Sequence, residues 1–398
     1  MHALETPNRI EPARLEVASA ALADALAEVS AEGMMLGRSL APLTAANLAD
    51  LVRVMNTYYS NLIEGHNTRP RDIERALQGQ FAPDEATRNL QLEAAAHVRV
   101  QEAIDRQFLA GTLPAATSAD FLKWVHREFY RGASEKMLRM EGGGREFVMQ
   151  PGEWRSRPEH DNAVGRHIPP SSQHVAAFMA HFERRYSLEG AGTATRIMAM
   201  AAAHHRLNYI HPFPDGNGRV SRLMSHAMAQ QAGIGAHGLW SISRGLARGL
   251  DSRLEYKQHM DAADAQRFTD TDGRGNLSQR ALEEFTLWFV RVSLDQVRYM
   301  SSLFDLGKFR ERIARFVERS TTLKPESSYL LQEALTRGEF QRGEIMRLTG
   351  LPERSARRVL SDLTGAGLLA SQTPLGPLSL RFPNDVLEDF FPKLYPHT

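Results

Sequence analysis

His211, Asp215, Gly216, Gly218, Arg219 and Arg222 lie in one twelve-residue stretch, HPFPDGNGRVSR, whose residue types suit chemistry on a phosphate ester. Glycines at 216 and 218 leave backbone N–H groups free to converge on an oxyanion. A helix starting at Arg219 aims the positive end of its dipole at the same point. Arg219 and Arg222 are three apart and share a face in its first turn, where two cations oppose the dipole unless an anion compensates. Asp215 is a hard oxygen ligand suited to magnesium, which takes one or two carboxylates and completes its shell with phosphate oxygens. His211 has the intrinsic basicity to accept a proton near neutral pH. His-Pro alone is an ordinary turn and Gly-Asn-Gly an ordinary loop. Nine specified positions together, each roughly a 5% event, multiply to about 10⁻¹², which coincidence does not explain.

These residues need two helices and a tight connection. The periodic segment Thr195 to Tyr209 must stop near His211, because Pro212 disfavours the helical region for the residue before it. Residues 214–218 then form the loop, and the next helix buries Leu223, Met224 and Met228. Apolar residues three and four apart recur through most of the chain, while alternating runs occur only near 145–149, 164–168 and 376–382, so the fold is expected to be mainly helical. One strongly periodic helix runs from Thr44, read as its cap, through Leu48, Leu51, Met55, Tyr58 and Leu62 to a glycine stop at Gly65. A Gly/Pro/Arg-rich region from Gly142 to Pro170 predicts loops and a short hairpin. The stretch from Arg280 to Ser320 reads as one long packed helix, and Lys324-Pro325 as a linker.

With 48 Lys/Arg against 47 Asp/Glu, the chain has no general attraction for nucleic acid or anionic lipid, so any anion site is local. The absence of cysteine excludes disulfides, thiolate nucleophiles and cysteine zinc sites. The Ala-rich N-terminal stretch carries an acidic residue every few positions and fails as a signal region or membrane span, leaving a cytoplasmic protein as the expectation.

The 211–222 segment resembles the HPFx[D/E]GNGRxxR signature of Fic proteins without departure. The resemblance implies an all-α Fic fold with a short β-hairpin flap, and a protein adenylyltransferase using ATP and Mg²⁺. His211 would deprotonate a Ser, Thr or Tyr hydroxyl of a target protein, which attacks the α-phosphorus of ATP. Asp215 would hold the metal, Gly216, Asn217 and Gly218 the anion hole, Arg219 the β-phosphate and Arg222 the γ-phosphate. Phe213 would anchor the loop, and Tyr256 resembles an aromatic near the nucleoside. Use of another nucleotide, and removal of AMP rather than its transfer, stay open.

Ser60-Asn61-Leu62-Ile63-Glu64-Gly65 matches the family's inhibitory [S/T]xxxE[G/N] motif, with Ser60, Glu64 and Gly65 at its fixed positions. Glu64 sits in the last turn of its helix, where a carboxylate faces the negative end of the dipole and needs a cationic partner. The resemblance names that partner as Arg222. Pro151 to Arg155 resembles the family's G-x-[aromatic]-R segment, and Val164, Gly165, Arg166, His167 and Ile168 occupy the place of the flap that presents the acceptor hydroxyl.

His204 and His205 lack a recognisable zinc spacing. DTDGRGNLSQR, 270–280, begins like a calcium loop but has Ala281 at the twelfth position, which favours a helix-connecting turn. Expected divisions are an N-terminal helical region over 1–115 carrying the inhibitory helix (about 44–65), a Fic core over 116–262, a helical extension over 263–324, and a small winged-helix-like α+β domain over 325–398. That last region offers Arg354, Arg357 and Arg358 on one helix. Its eight Lys/Arg against nine Asp/Glu argue against duplex DNA. A transcription regulator with the Fic domain as sensor is the rival reading. Self-modification and a homodimer are further partner expectations, and no membrane is expected.

Overall fold

The computed structural model describes residues 5–142, 145–161 and 163–395. The chain forms two compact units, one of residues up to 34 with 56–296, the other of residues 35–55 with those from 297 onward. Both are built mainly of helices, as the apolar periodicity predicts. No helix among the described residues is long and apolar enough to cross a membrane.

At the centre of the first unit, helix Thr193–Ile210 lies against helix Asn217–Gln231. Small and apolar residues make this approach close: Ile197, Ala201, Ala202 and Ile210 on one, and Val220, Leu223, Met224 and Ala227 on the other, are all at most 1% exposed. Helices Glu85–Leu109 and Ala119–Phe129 pack on the second of the pair, and Val175–Arg185 on the first. The first two helices open on side-chain caps, Asp84 accepting from the Thr87 amide at 2.8 Å and Ser118 from that of Phe121 at 3.2 Å.

Strands Arg139–Gly142 and Arg145–Val148 pair antiparallel, with Arg139 opposite Val148; the second lies within the stretch expected to form a hairpin, and the first begins three residues before it. The flap segment makes a tight turn in which Val164 and His167 exchange backbone hydrogen bonds of 2.9 and 3.0 Å. Gly165 takes φ +61° there, a conformation for which glycine is suited. In the 270–280 segment, Asp272 accepts from the amides of Phe268 and Arg280, closing a connecting turn.

In the second unit, strand Leu378–Leu380 lies between Glu339–Phe340 and Leu369–Ala370, antiparallel to both. Helices Ser327–Arg337, Ile345–Thr349 and Glu353–Gly365 bury Leu331, Leu335, Ile345, Val359 and Leu363, and the first of them packs on that strand. Arg354, Arg357 and Arg358 are exposed on the third helix, where Arg357 pairs with Glu353.

Three helix boundaries differ from expectation. Helix Pro42–Ile63 begins two residues before Thr44, since proline at the first position is preset for a helix start. Thr44 is buried and donates to the Leu335 carbonyl at 2.9 Å. The expected single helix from Arg280 divides into Gln279–Phe304 and Leu306–Arg319, because Asp305 leaves helical geometry and caps the Lys308 amide at 2.9 Å. The helix after the glycine loop starts at Asn217 rather than Arg219, placing Gly218 in its first turn.

Candidate active site

His211 ends its helix in the left-handed region, φ 51° and ψ 59°, with its amide still donating to the Leu207 carbonyl at 2.9 Å. Pro212 makes a helical continuation unfavourable, and the left-handed turn redirects the chain into the loop. A non-glycine residue there carries strain of about 1–3 kcal/mol, which the surroundings must hold. Burial, followed by the nearby Arg155 and His167, holds the His211 imidazole down at about 4, so it is neutral at physiological pH.

The loop is stapled from within. Phe213 is fully buried, stacks on His126 with centroids 3.9 Å apart, and meets Trp154 at 4.6 Å. The Asn217 side chain accepts from the Phe213 amide at 2.9 Å and donates to its carbonyl at 2.8 Å. Its amide group therefore shapes the loop, leaving backbone N–H groups as the donors for an anion. Gly216 has φ +77°, and a Cβ there would stand 3.0 Å from the Tyr130 hydroxyl.

Asp215 lies beside this loop with its side chain 42% exposed. Its Oδ2 accepts from Tyr130 at 2.7 Å and from Arg219 at 3.1 Å. Burial pushes its carboxyl up, but Arg219 and the Tyr130 hydrogen bond outweigh this and leave it below the usual carboxylate range. An ionised, accessible single carboxylate fits a magnesium ion that draws its other ligands from phosphate and water. Among the described residues no group of three or more His, Asp or Glu could hold a metal by itself.

Arg219 is 5% exposed and donates to Glu93 at 2.6 Å as well as to Asp215, and its guanidinium lies 4.8 Å from the Phe129 ring centroid. Arg222, 1% exposed, donates to Glu64 at 2.6 Å, to the Ser60 hydroxyl at 2.9 Å and to the Ser60 carbonyl at 3.3 Å. Helix Pro42–Ile63 ends one residue before Glu64, not after it, and Gly65 in the following turn has φ +84°. Burial pushes the Glu64 carboxyl up, yet the charge and hydrogen bond of Arg222, with Arg219, keep it below its ordinary value. A Cβ built on Gly218 would fall 2.4 Å from a Glu64 carboxylate oxygen. The Glu64 carboxylate is thus itself an anion seated over the glycine loop.

Tyr256 contacts the same region through His204. The Ser225 hydroxyl donates to the Ser221 carbonyl at 2.8 Å, so it accepts from His204 Nδ1 at 2.9 Å; His204 Nε2 then accepts from the Tyr256 hydroxyl at 2.8 Å. Burial pushes the Tyr256 phenol up to about 12. His205 Nε2 lies 3.1 Å from Asp264, whose other oxygen is 3.1 Å from Nδ1 of His167 in the flap. Val164 and Ile168 leave their apolar side chains exposed on the flap, at 43% and 67%.

Three residues that sequence reasoning did not place in the site are part of it, His126, Tyr130 and Glu93, and Arg155, read from the sequence only as the end of the G-x-[aromatic]-R segment, joins them. His126 accepts from the Gly152 amide at Nδ1, so its Nε2 donates to the Asp215 carbonyl at 3.2 Å. His126 and Tyr130 are four apart on one helical face, a spacing that could have suggested a shared role.

The Fic/DOC family pattern matches residues 116–229. The proteins called "Protein adenylyltransferase Fic" of Drosophila sechellia, Drosophila simulans and Drosophila melanogaster are each 44% identical to this chain over 70 residues, 18% of this chain and only 14% of each relative's length. A Fic family protein from Desulfovibrio desulfuricans G20 has a similar structure, with TM-score 0.53 and 17% identity over 92% of this chain and 98% of that one. A Fic domain containing signaling protein from Bacteroides thetaiotaomicron VPI-5482 aligns with TM-score 0.52 and 19% identity, over 71% of this chain and 96% of its own. At these identities the structural likeness is one of fold. With the glycine loop inside the matched region and the helical architecture in common, the chain carries a domain of the Fic/DOC family.

Proposed function

We propose that this protein transfers AMP from ATP to a Ser, Thr or Tyr hydroxyl of a target protein, and that Glu64 restrains the transfer. The observation that carries the reading is the glycine loop with a neutral imidazole at one end and two buried arginines at the other. His211 takes the hydroxyl proton as the oxygen attacks the α-phosphorus. The bond to the β-phosphate oxygen breaks, and pyrophosphate leaves. Backbone N–H groups of 216–218 face the developing charge, which in such transfers supplies most of the catalysis. Arg219 and Arg222 hold the β- and γ-phosphates, and Tyr256 lies toward the nucleoside. Asp215 would hold Mg²⁺, which would neutralise phosphate charge. The exposed Val164–Ile168 flap would seat the target segment by main-chain pairing.

The position of label in the nucleotide tests the reaction class. With Glu64→Gly protein and magnesium, ATP labelled at the α-phosphate is expected to label protein and ATP labelled at the γ-phosphate is not. Label from the γ-position would assign a phosphotransferase instead. The other nucleoside triphosphates, run in parallel, read nucleotide choice.

A base held down to about 4 also sets the acid limb of the reaction. His211 must be neutral to accept the proton, so kcat should stay level from pH 8 down to about pH 5.5, as far as the protein remains folded, with no decline centred near 6.5. A limb centred near 6.5, measured while circular dichroism reports folded protein, would remove the buried-base account.

A further inference from the structure

We infer that Arg155 is a positioning residue for His211, holding the backbone on both sides of it in the left-handed turn and tying that turn to the end of the flap. The inference rests on the function proposed above and adds a residue to its machinery. Arg155 is 3% exposed and reaches three successive residues, 210 to 212, as well as Pro170 and Asp161. Its Nε donates to the His211 carbonyl at 2.7 Å, one terminal nitrogen donates to the Ile210 carbonyl at 3.2 Å and the Pro170 carbonyl at 2.9 Å, and its backbone amide donates to the Pro212 carbonyl at 2.8 Å. Three successive carbonyls, 210 to 212, are thus received by one residue. These carbonyls stand at a helix C-terminus followed by proline, where the helix has no further amides to offer them.

The strain at His211 makes this contact consequential. A left-handed non-glycine residue persists only where its surroundings over-determine it. The planar guanidinium supplies several donors in a fixed fork, which a lysine ammonium does not reproduce. The other terminal nitrogen is anchored by Asp161 at 2.8 Å, and Asp161 also accepts from the Ser172 amide at 2.7 Å, beyond the flap. Pro170 lies two residues beyond the Val164–Ile168 flap, so base and acceptor platform share one anchor. Relaxing the turn would move the imidazole relative to an acceptor hydroxyl, and a displacement of about 1 Å can cost about a hundredfold in rate.

The test compares Arg155→Met, Arg155→Lys and Asp161→Asn in the Glu64→Gly background, reading kcat and KM for labelled ATP. Arg155→Met is expected to lower kcat by about 30- to 100-fold while KM for ATP stays within about twofold, because the residues proposed to hold ATP do not touch Arg155. Arg155→Lys should recover part of the loss, and Asp161→Asn should lower kcat by about three- to tenfold. If Arg155→Met does not fold by circular dichroism, the other two variants are judged by the same split. Unchanged kcat, or kcat falling with a matching rise in KM, overturns the inference. An inactive Glu64→Gly parent would remove the functional reading and this inference with it. An active parent silenced by His211→Ala but indifferent to Arg155 would remove the inference alone.

Discussion

Replacing Glu64 by glycine should raise AMP transfer by about ten- to a hundredfold. The carboxylate sits 2.6 Å from a guanidinium that is 1% exposed, and a Cβ on Gly218 would collide with it. Seating the γ-phosphate on Arg222 therefore requires this charge-assisted hydrogen bond to break. Such a bond contributes about 1.5–3 kcal/mol, and each 1.4 kcal/mol is a factor of ten. Glycine removes both the charge and the volume. Glu64→Gln keeps the volume but loses the charge, and should give a smaller gain. Initial rates with labelled ATP read both; a Glu64→Gly protein no faster than wild type would rule out the restraint.

The second large effect is on stability in acid. His97, His126 and His204 are fully buried, and burial holds them neutral down to about 3, 4 and 3 respectively. In the unfolded chain each titrates near 6.5. Between those values the unfolded state binds more protons than the native state, so stability falls as pH falls. Each such histidine costs about 1.4 kcal/mol per pH unit below 6.5, or about 4 kcal/mol per unit for the three. Against a typical total of about 5–15 kcal/mol, the domain should unfold by about pH 5 to 4. Denaturant midpoints at pH 7.5, 6.5 and 5.5 check this; equal midpoints at 6.5 and 5.5 would contradict it.

The candidate site was legible in the sequence because most of its residues are concentrated in one loop. Proline after His211 announced the helix end, and the glycines announced the anion-ready turn. Glu64 was legible only through its resemblance to an inhibitory motif, since a carboxylate in the last turn of a helix calls for a cation without naming one. His126, Tyr130 and Glu93 lie 85 to 126 residues from the loop residues they touch, and nothing in their types records that distance; Arg155, 56 residues from His211, was legible only as part of a resembled segment. Thr44 misled for a related reason: a residue suited to capping was claimed by a carbonyl 291 positions away. Asn217, expected at the anion hole, has its side chain committed to Phe213, a role that loop geometry decides and residue type does not.

The central claim is that His211 supports AMP transfer at the glycine loop. Mass spectrometry of Glu64→Gly protein and of the Glu64→Gly, His211→Ala double variant, each incubated with ATP and magnesium, tests it most directly. The account predicts peptides carrying one AMP on a Ser, Thr or Tyr hydroxyl in the first sample and none in the second. Equal modification of both would show that the transfer does not depend on His211.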